Sequence, residues 1–103
     1  MRFMIKVSFP VERGNELLKD PQFGHKMEEL LADMKAEAAY FCPVDGQRGM
    51  YIIINMDDAS ELAAKAEPLF FWLHADIDAF PVMKLEDLAK AGPAIGAAVQ
   101  KWV

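Results

Sequence analysis

Lys6, Asp76 and Asp78 are the residues whose types and spacing best support chemistry. Asp76 and Asp78 stand two apart in an alternating stretch, so a strand would point both carboxylates the same way. Lys6 sits on the polar side of another alternating stretch. Paired carboxylates can raise the pKa of one member and make it a general base. A base beside an enolate-stabilising lysine is what cofactor-free proton-transfer isomerisation requires. The same three residues also read as a cross-strand salt bridge on a partly wet sheet face. Arg48 follows a Gly-containing turn and could clamp a carboxylate, though a solvated hairpin arginine is the plainer reading. Tyr40 and Tyr51 could line a cavity with their hydroxyls or serve as packing residues. Phe80 shares the strand side of Asp76 and Asp78. The expected site is therefore Lys6, Asp76 and Asp78 for catalysis, with Tyr40, Arg48, Tyr51 and Phe80 around the substrate.

Other chemistry-bearing residues carry less. His74-Ala-Asp76 places two metal-ligand types on one strand face, but a site needs three or four, and the other histidine, His25, falls on a helix. No metal and no cofactor are expected. Cys42 has no base near it in sequence and reads as an inert buried thiol. Gly46 to Gly49 is too short and too unlike a phosphate loop to suggest a nucleotide. Phe70, Phe71 and Trp72 follow Pro68 directly. Three adjacent aromatics cannot all face one core, so at least one should meet a partner subunit or a ligand.

Composition narrows the class. At 103 residues the chain is one domain. Its hydrophobic share of 53%, with seven Met and seven Phe, exceeds what one small core hides, which points to an oligomer. The net charge of −5, with no basic stripe, argues against nucleic acid and against an anionic membrane surface. No apolar run approaches the roughly 18–20 residues of a membrane span. The first residues alternate like a strand and do not read as a signal segment. A single cysteine agrees with a reducing compartment, and a cytoplasmic location is expected.

The elements that must position these residues follow from periodicity. Arg2 to Phe9 alternates, with Phe3, Ile5, Val7 and Phe9 on one side, and Pro10 ends the strand. Val11 to Leu18 reads as a short helical piece. Asp20-Pro21 opens a longer helix with the stripe Phe23, Met27, Leu30, Leu31 and Met34, fading near Glu37. Ala38 to Val44 is a strand that Pro43 assigns to an edge. Asp45-Gly46 is a turn, which Gly49 extends, and Met50 to Met56 is apolar enough to be central. Asp58-Ala-Ser-Glu61 spaces a capping box before a helix carrying Leu62, Ala63 and Ala66 inward. Pro68 should kink or end that helix, with Leu69 to Leu73 as one more turn or a tight loop. Asp76 to Met83 alternates, with Pro81 marking the other edge. Leu85 to Ala91 is helical, Gly92-Pro93 breaks it, and Ile95, Val99 and Trp102 mark a last amphipathic turn or two.

The order β-α-β-β-α-β predicts an α+β, ferredoxin-like sandwich with antiparallel strand order 4-1-3-2. The two proline-bearing strands fall at its edges, which agrees across levels. Residues 1–103 form one domain, with a core over 1–83 and a helical extension over 84–103. The helices cover one sheet face. The other, carrying Met4, Lys6, Ser8, Tyr51, Phe80 and the aspartates, is too apolar for water and too polar for a dry core. A second copy packed sheet to sheet resolves this, so a homodimer is expected, with a small pocket where Lys6, Asp76 and Asp78 gather.

Several motifs resemble the dimeric α/β-barrel superfamily. Gly49, Tyr51 to Ile54, Glu61-Leu62, Pro68-Leu69-Phe70, Asp76-Ile77 and Pro81-Val82 follow the order of muconolactone isomerase-like proteins. Met1 to Met4, Arg48-Gly49, Asp57-Asp58-Ala59, Leu62-Ala63 and Pro81-Val82 resemble a group of short uncharacterised proteins of that superfamily. The likeness covers the chain up to Met83 and lies in turns, caps and strand ends. The tail is longer than the isomerase's, the first helix region is arranged differently, and no catalytic residue transfers. The resemblance implies a homodimeric barrel binding a small apolar or aromatic acid between sheet and helices, with cofactor-free isomerisation as the reaction. A non-catalytic binding or assembly module and a cofactor-free monooxygenase are the alternatives.

Overall fold

The computed structural model describes residues 1–103. Strand β1 (Arg2–Ser8) leads into helix α1 (Val11–Leu17) and helix α2 (Phe23–Asp33), then strands β2 (Ala38–Val44) and β3 (Gln47–Asn55). Helix α3 (Glu61–Leu73), strand β4 (Asp76–Pro81), helix α4 (Leu85–Lys90) and helix α5 (Gly92–Trp102) complete the chain. The four strands form one antiparallel sheet in the order β2-β3-β1-β4. The chain is thus an α+β protein of the ferredoxin-like kind, with the expected strand order read from the opposite edge.

Alternation decides which side is buried. Ile5 and Val7 of β1 lie opposite Ile52 and Met50 of β3, and all four are fully buried on the helical side. Met27, Leu30 and Met34 of α2 and Leu69 and Leu73 of α3 close the core over them. Burying one such side chain contributes about 1.5–3 kcal/mol before entropy is counted. Polar ties join neighbouring elements. The Arg2 guanidinium forks onto the Glu37 carboxylate at 2.8 and 3.0 Å. Arg13 donates to the Trp72 carbonyl at 2.9 Å, linking α1 to α3, and Trp72 stacks at a tilt on Phe23 with ring centres 5.4 Å apart.

The helix ends follow local chemistry. Glu61 accepts from the Asp57 and Asp58 N–H groups at 2.7 and 2.8 Å, while Asp58 accepts from the Ser60 N–H at 2.8 Å. Of the capping box read from Asp58 and Glu61 one half forms, the Glu61 carboxylate on the Asp58 N–H, while the Asp58 carboxylate takes the Ser60 N–H in place of that of Glu61. At the end of α2, Lys35 adopts a left-handed φ of 52°, its N–H bonded to the Ala32 carbonyl and that of Ala36 to Leu31. That is a Schellman closure with lysine where glycine is usual. Asp45 (φ 51°) and Gly46 (φ 78°) form the two-residue hairpin turn expected from their types.

Three local readings change. Gly49 does not extend the turn; it is a buried ladder residue of β3 paired with Ser8 and Cys42. A side chain there would collide with the Val7 carbonyl and with Cγ2 of Val44 at 2.6 Å. Glycine thus lets Val44 and the hairpin end fold down onto the sheet. Of the two readings at Pro68 the helical one forms: Leu69 and Leu73 beyond it are fully buried and hold the last turns of α3 helical. Ala63 is exposed, and Ala66 alone of that alanine pair faces the core. Gly92-Pro93 starts α5 and leaves only Ala91 between the last two helices.

Residues 84–103 stand apart from the core. Neither α4 nor α5 has a buried residue. The radius of gyration is 17.2 Å, against about 13 Å for a compact domain of 100 residues. The longest dimension, 58 Å, is more than twice either of the others, 27 and 21 Å. The tail is a helical arm leaving the end of β4. No helix of the chain is long and apolar enough to cross a membrane.

Candidate functional site

The cavity of the chain lies on the helical side of the sheet, at the end where β1 runs into α1. Phe9 closes its floor, α1 and the start of α2 supply Val11, Gly14, Leu18, Phe23 and Met27, and Phe41 to Gly49 of the β2–β3 hairpin complete it. Its volume is about 570 Å³, within the roughly 300–1,000 Å³ of small-molecule sites. Phe9 and Met27 are buried, whereas Val11, Leu18 and Phe41 are about half exposed and form the mouth. Each lining segment is placed by a different constraint. Pro10 ends β1 and starts α1; Asp20 accepts from the Gln22 N–H at 2.8 Å in the turn before α2, whose N-cap is Gln22 and not the expected Asp20; the Asp45-Gly46 turn fixes the hairpin.

Arg48 is the one charged residue among those lining the cavity. Its backbone carbonyl accepts from the Phe9 N–H at 3.0 Å, which fixes the strand under α1. Its Nη1 donates to the Val11 carbonyl at 3.3 Å and to Oδ1 of Asn15 at 3.1 Å. Both acceptors are neutral, so the positive charge is held in place without a counter-ion. The Nε and Nη2 donors remain free to fork onto a carboxylate. Gly14 makes this possible, since a Cβ there would lie 2.6 Å from Arg48 Nη1.

The remaining sequence-derived site residues fall on the opposite, open face. Lys6 lies cross-strand from both Asp78 and Tyr51, and Asp76 lies opposite Ser8. The Lys6 ammonium reaches over the sheet to Asp45, with Nζ at 3.1 Å from Oδ2. That hydrogen bond, then the Asp45 charge, raises its pKa above the ordinary 10.5, with smaller help from Tyr51 and Asp78. A lysine held protonated in this way suits charge stabilisation and not proton abstraction. Asp76 and Asp78 are exposed and form no ion pair within the chain. Tyr40 and Tyr51 are direct cross-strand partners on this face, and Phe80 pairs with Met4 beside them. Arg48 is thus separated by the sheet from the other six.

Three ring-bearing walls of the cavity, Phe9, Phe23 and Phe41, were not expected there. Phe41 carried the available signal. It faces the helical side opposite Met50, yet stands 59% exposed on an edge strand that the short α1 does not reach across. Cys42 is exposed, not buried, and is also at the cavity. His25 pairs with Glu29 along α2 at 3.1 Å, while His74 ends α3 in a left-handed conformation, so the two histidines serve separate elements.

Together the fold and the cavity define a ferredoxin-like α+β domain with an apolar pocket and a single cation at its wall. A family model described as "Domain of unknown function (DUF3303)" matches residues 1–96, and the chain belongs to that family. A comparison with curated proteins gave no match.

Proposed function

We propose that the protein binds a small apolar or aromatic carboxylic acid between the sheet and α1/α2, with Arg48 holding the carboxylate. The observation that carries this reading is an apolar cavity of about 570 Å³ whose only charge is an arginine without a counter-ion. Phe9, Phe23 and Phe41 offer ring faces and edges to an aromatic or branched aliphatic body. Arg48 offers two free donors where the mouth meets water. Desolvating a carboxylate there costs little beyond what the guanidinium returns, because the site stays open on one side.

Binding without turnover is the better-supported form of this function. Among the lining residues there is no Asp, Glu, His, Lys or Tyr to act as a proton carrier. Lys6, Asp76 and Asp78 would have to act through the sheet, so a muconolactone isomerase-like reaction needs its substrate on the open face. The test is a titration of benzoate, 3-phenylpropionate and hexanoate, and of the matching primary amides, followed by amide and methyl chemical shifts. Acids should shift signals of Phe9, Met27 and Phe41, and amides should bind at least about tenfold more weakly, as expected for losing a charge-assisted bond. Arg48→Gln should reduce acid binding to the amide level. Equal binding of acids and amides, or shifts confined to Lys6, Asp76 and Phe80, would reject this site.

A further inference from the structure

The α4–α5 arm has the wrong surface for its surroundings. From Ala91 to Val99 it carries no polar side chain, and a helix apolar all round belongs in a buried setting. Yet it buries nothing on its own chain, and Ile95, Val99 and Trp102 stand 50%, 52% and 78% exposed. Leu85, Leu88, Ile95, Val99 and Trp102 recur at alternating three- and four-residue steps, broken only at Gly92. Ala91 between the helices keeps a right-handed backbone (φ −81°, ψ −7°), so the stripe runs along one nearly continuous rod. At 1.5 Å per residue that rod is about 27 Å long.

The open sheet face has the complementary defect. Met4, Tyr51 and Ile53 are only half buried there and Phe80 is exposed, with no layer above them. An antiparallel sheet tolerates one wet face when that face is polar, and this one sets Met4, Tyr51, Ile53 and Phe80 around a single central cation, Lys6, which is already paired with Asp45. Its rim on β4 holds Asp76 and Asp78, both without an intramolecular ion pair. The arm carries Lys84, Lys90 and Lys101 against Glu86 and Asp87, net positive on a chain of net charge −5. The other apolar concavity is the ligand cavity, whose one charge is Arg48, which repels a lysine-bearing helix.

We infer that the protein is an arm-exchanged homodimer in which α5 of each copy lies across the open sheet face of the other. Ile95, Val99 and Trp102 cover Met4, Tyr51, Ile53 and Phe80, and an arm lysine meets the Asp76/Asp78 rim. Each copy then has helices on both sides of its sheet, a stable layer arrangement. Two arms and two faces related by a two-fold axis close the assembly at two copies. A second copy is the occupant because the arm buries nothing on its own chain, and the β4 register continues through the Val82 N–H to the Arg2 carbonyl. Only Met83 and Lys84 remain to turn it back on its own face.

Cross-linking in the full chain tests this. In a Cys42→Ser background, a chain bearing Ile53→Cys and a differently tagged chain bearing Val99→Cys are mixed and mildly oxidised. A disulfide between the two tagged chains is expected. The double variant Ile95→Asp/Val99→Asp should raise the dimer dissociation constant at least about tenfold, read by light scattering, with an unchanged circular dichroism spectrum. That variant cannot unfold the monomer by lost packing, because neither side chain is buried within it. Three results overturn the inference. One is a monomer at all micromolar concentrations. Another is cross-linking only between two Ile53→Cys chains, which marks sheet-on-sheet pairing without the arm. The last is a purely intramolecular disulfide when both cysteines share one chain.

Discussion

Arg48 and Gly14 act as one unit. The arginine crosses to α1 at the only residue of that helix lacking a Cβ on its path, and Nη1 sits where that Cβ would be. Replacing Gly14 with alanine should therefore disturb binding more than folding. Alanine improves the helix by about 0.5–1 kcal/mol, and the displaced atom is the free end of a flexible side chain. We expect Gly14→Ala to leave the free energy of urea unfolding within about 1 kcal/mol of the parent, and to weaken benzoate binding severalfold in the same shift titration. Unchanged affinity would mean that the Arg48 position is not what holds the acid. At this scale the sequence was partly legible. Arg48 could be singled out because a hairpin fixes its place, and the structure sets it at the cavity wall. Phe9, Phe23 and Phe41 were not readable as one wall, since a cavity is space left between elements far apart in sequence and periodicity reports only which side a residue faces.

The elements were more legible, because each is set by short-range rules. Alternation in Arg2 to Ser8, the Met27, Leu30 and Met34 stripe, and the Asp45-Gly46 turn all lead to the observed elements. The misreading at Gly49 and the choice left open at Pro68 share a cause: each was settled by packing that only the folded chain supplies, Val44 over the one and Leu69 and Leu73 beneath the other. Pro68 is exposed and removes a hydrogen bond from the middle of α3. Pro68→Ala should accordingly raise stability by about 1–3 kcal/mol in denaturant unfolding. A destabilised variant would show that the helix depends on proline at this position. The caps set the acid limit. Asp58 is held below its ordinary 3.8 by the Ser60 N–H, and Glu61 below 4.5 by the Asp58 and Asp57 N–H groups. The Arg2 fork lowers Glu37, and the Gln22 N–H lowers Asp20. A carboxylate with a depressed folded-state pKa stabilises the fold above its unfolded value, and that contribution is lost as pH falls through the folded value. The urea midpoint should hold steady from neutrality to about pH 5 and decline below the ordinary values of 3.8 and 4.5. Glu61→Gln should flatten the start of that decline, and an unaltered profile would remove the cap from the account.

At the scale of the whole molecule, the core and the arm make separate contributions to stability. Every fully buried large side chain lies between Ile5 and Leu73, and nothing in α4 or α5 adds to them. A chain ending at Met83 should therefore fold with the same secondary structure in its sheet and core helices. If the arm's partner is a second copy, the full chain gains stability from association, and that gain grows with the logarithm of concentration. The thermal midpoint of the full chain should rise as the protein is concentrated over a hundredfold range, by several degrees for a domain of this size. The shortened chain should show one midpoint throughout, equal to that of the full chain at high dilution. Calorimetry across a dilution series reads both. Parallel concentration dependence in the two chains would place the association in the sheet faces alone, and a lower midpoint for the shortened chain at every dilution would mean that the arm packs on its own subunit.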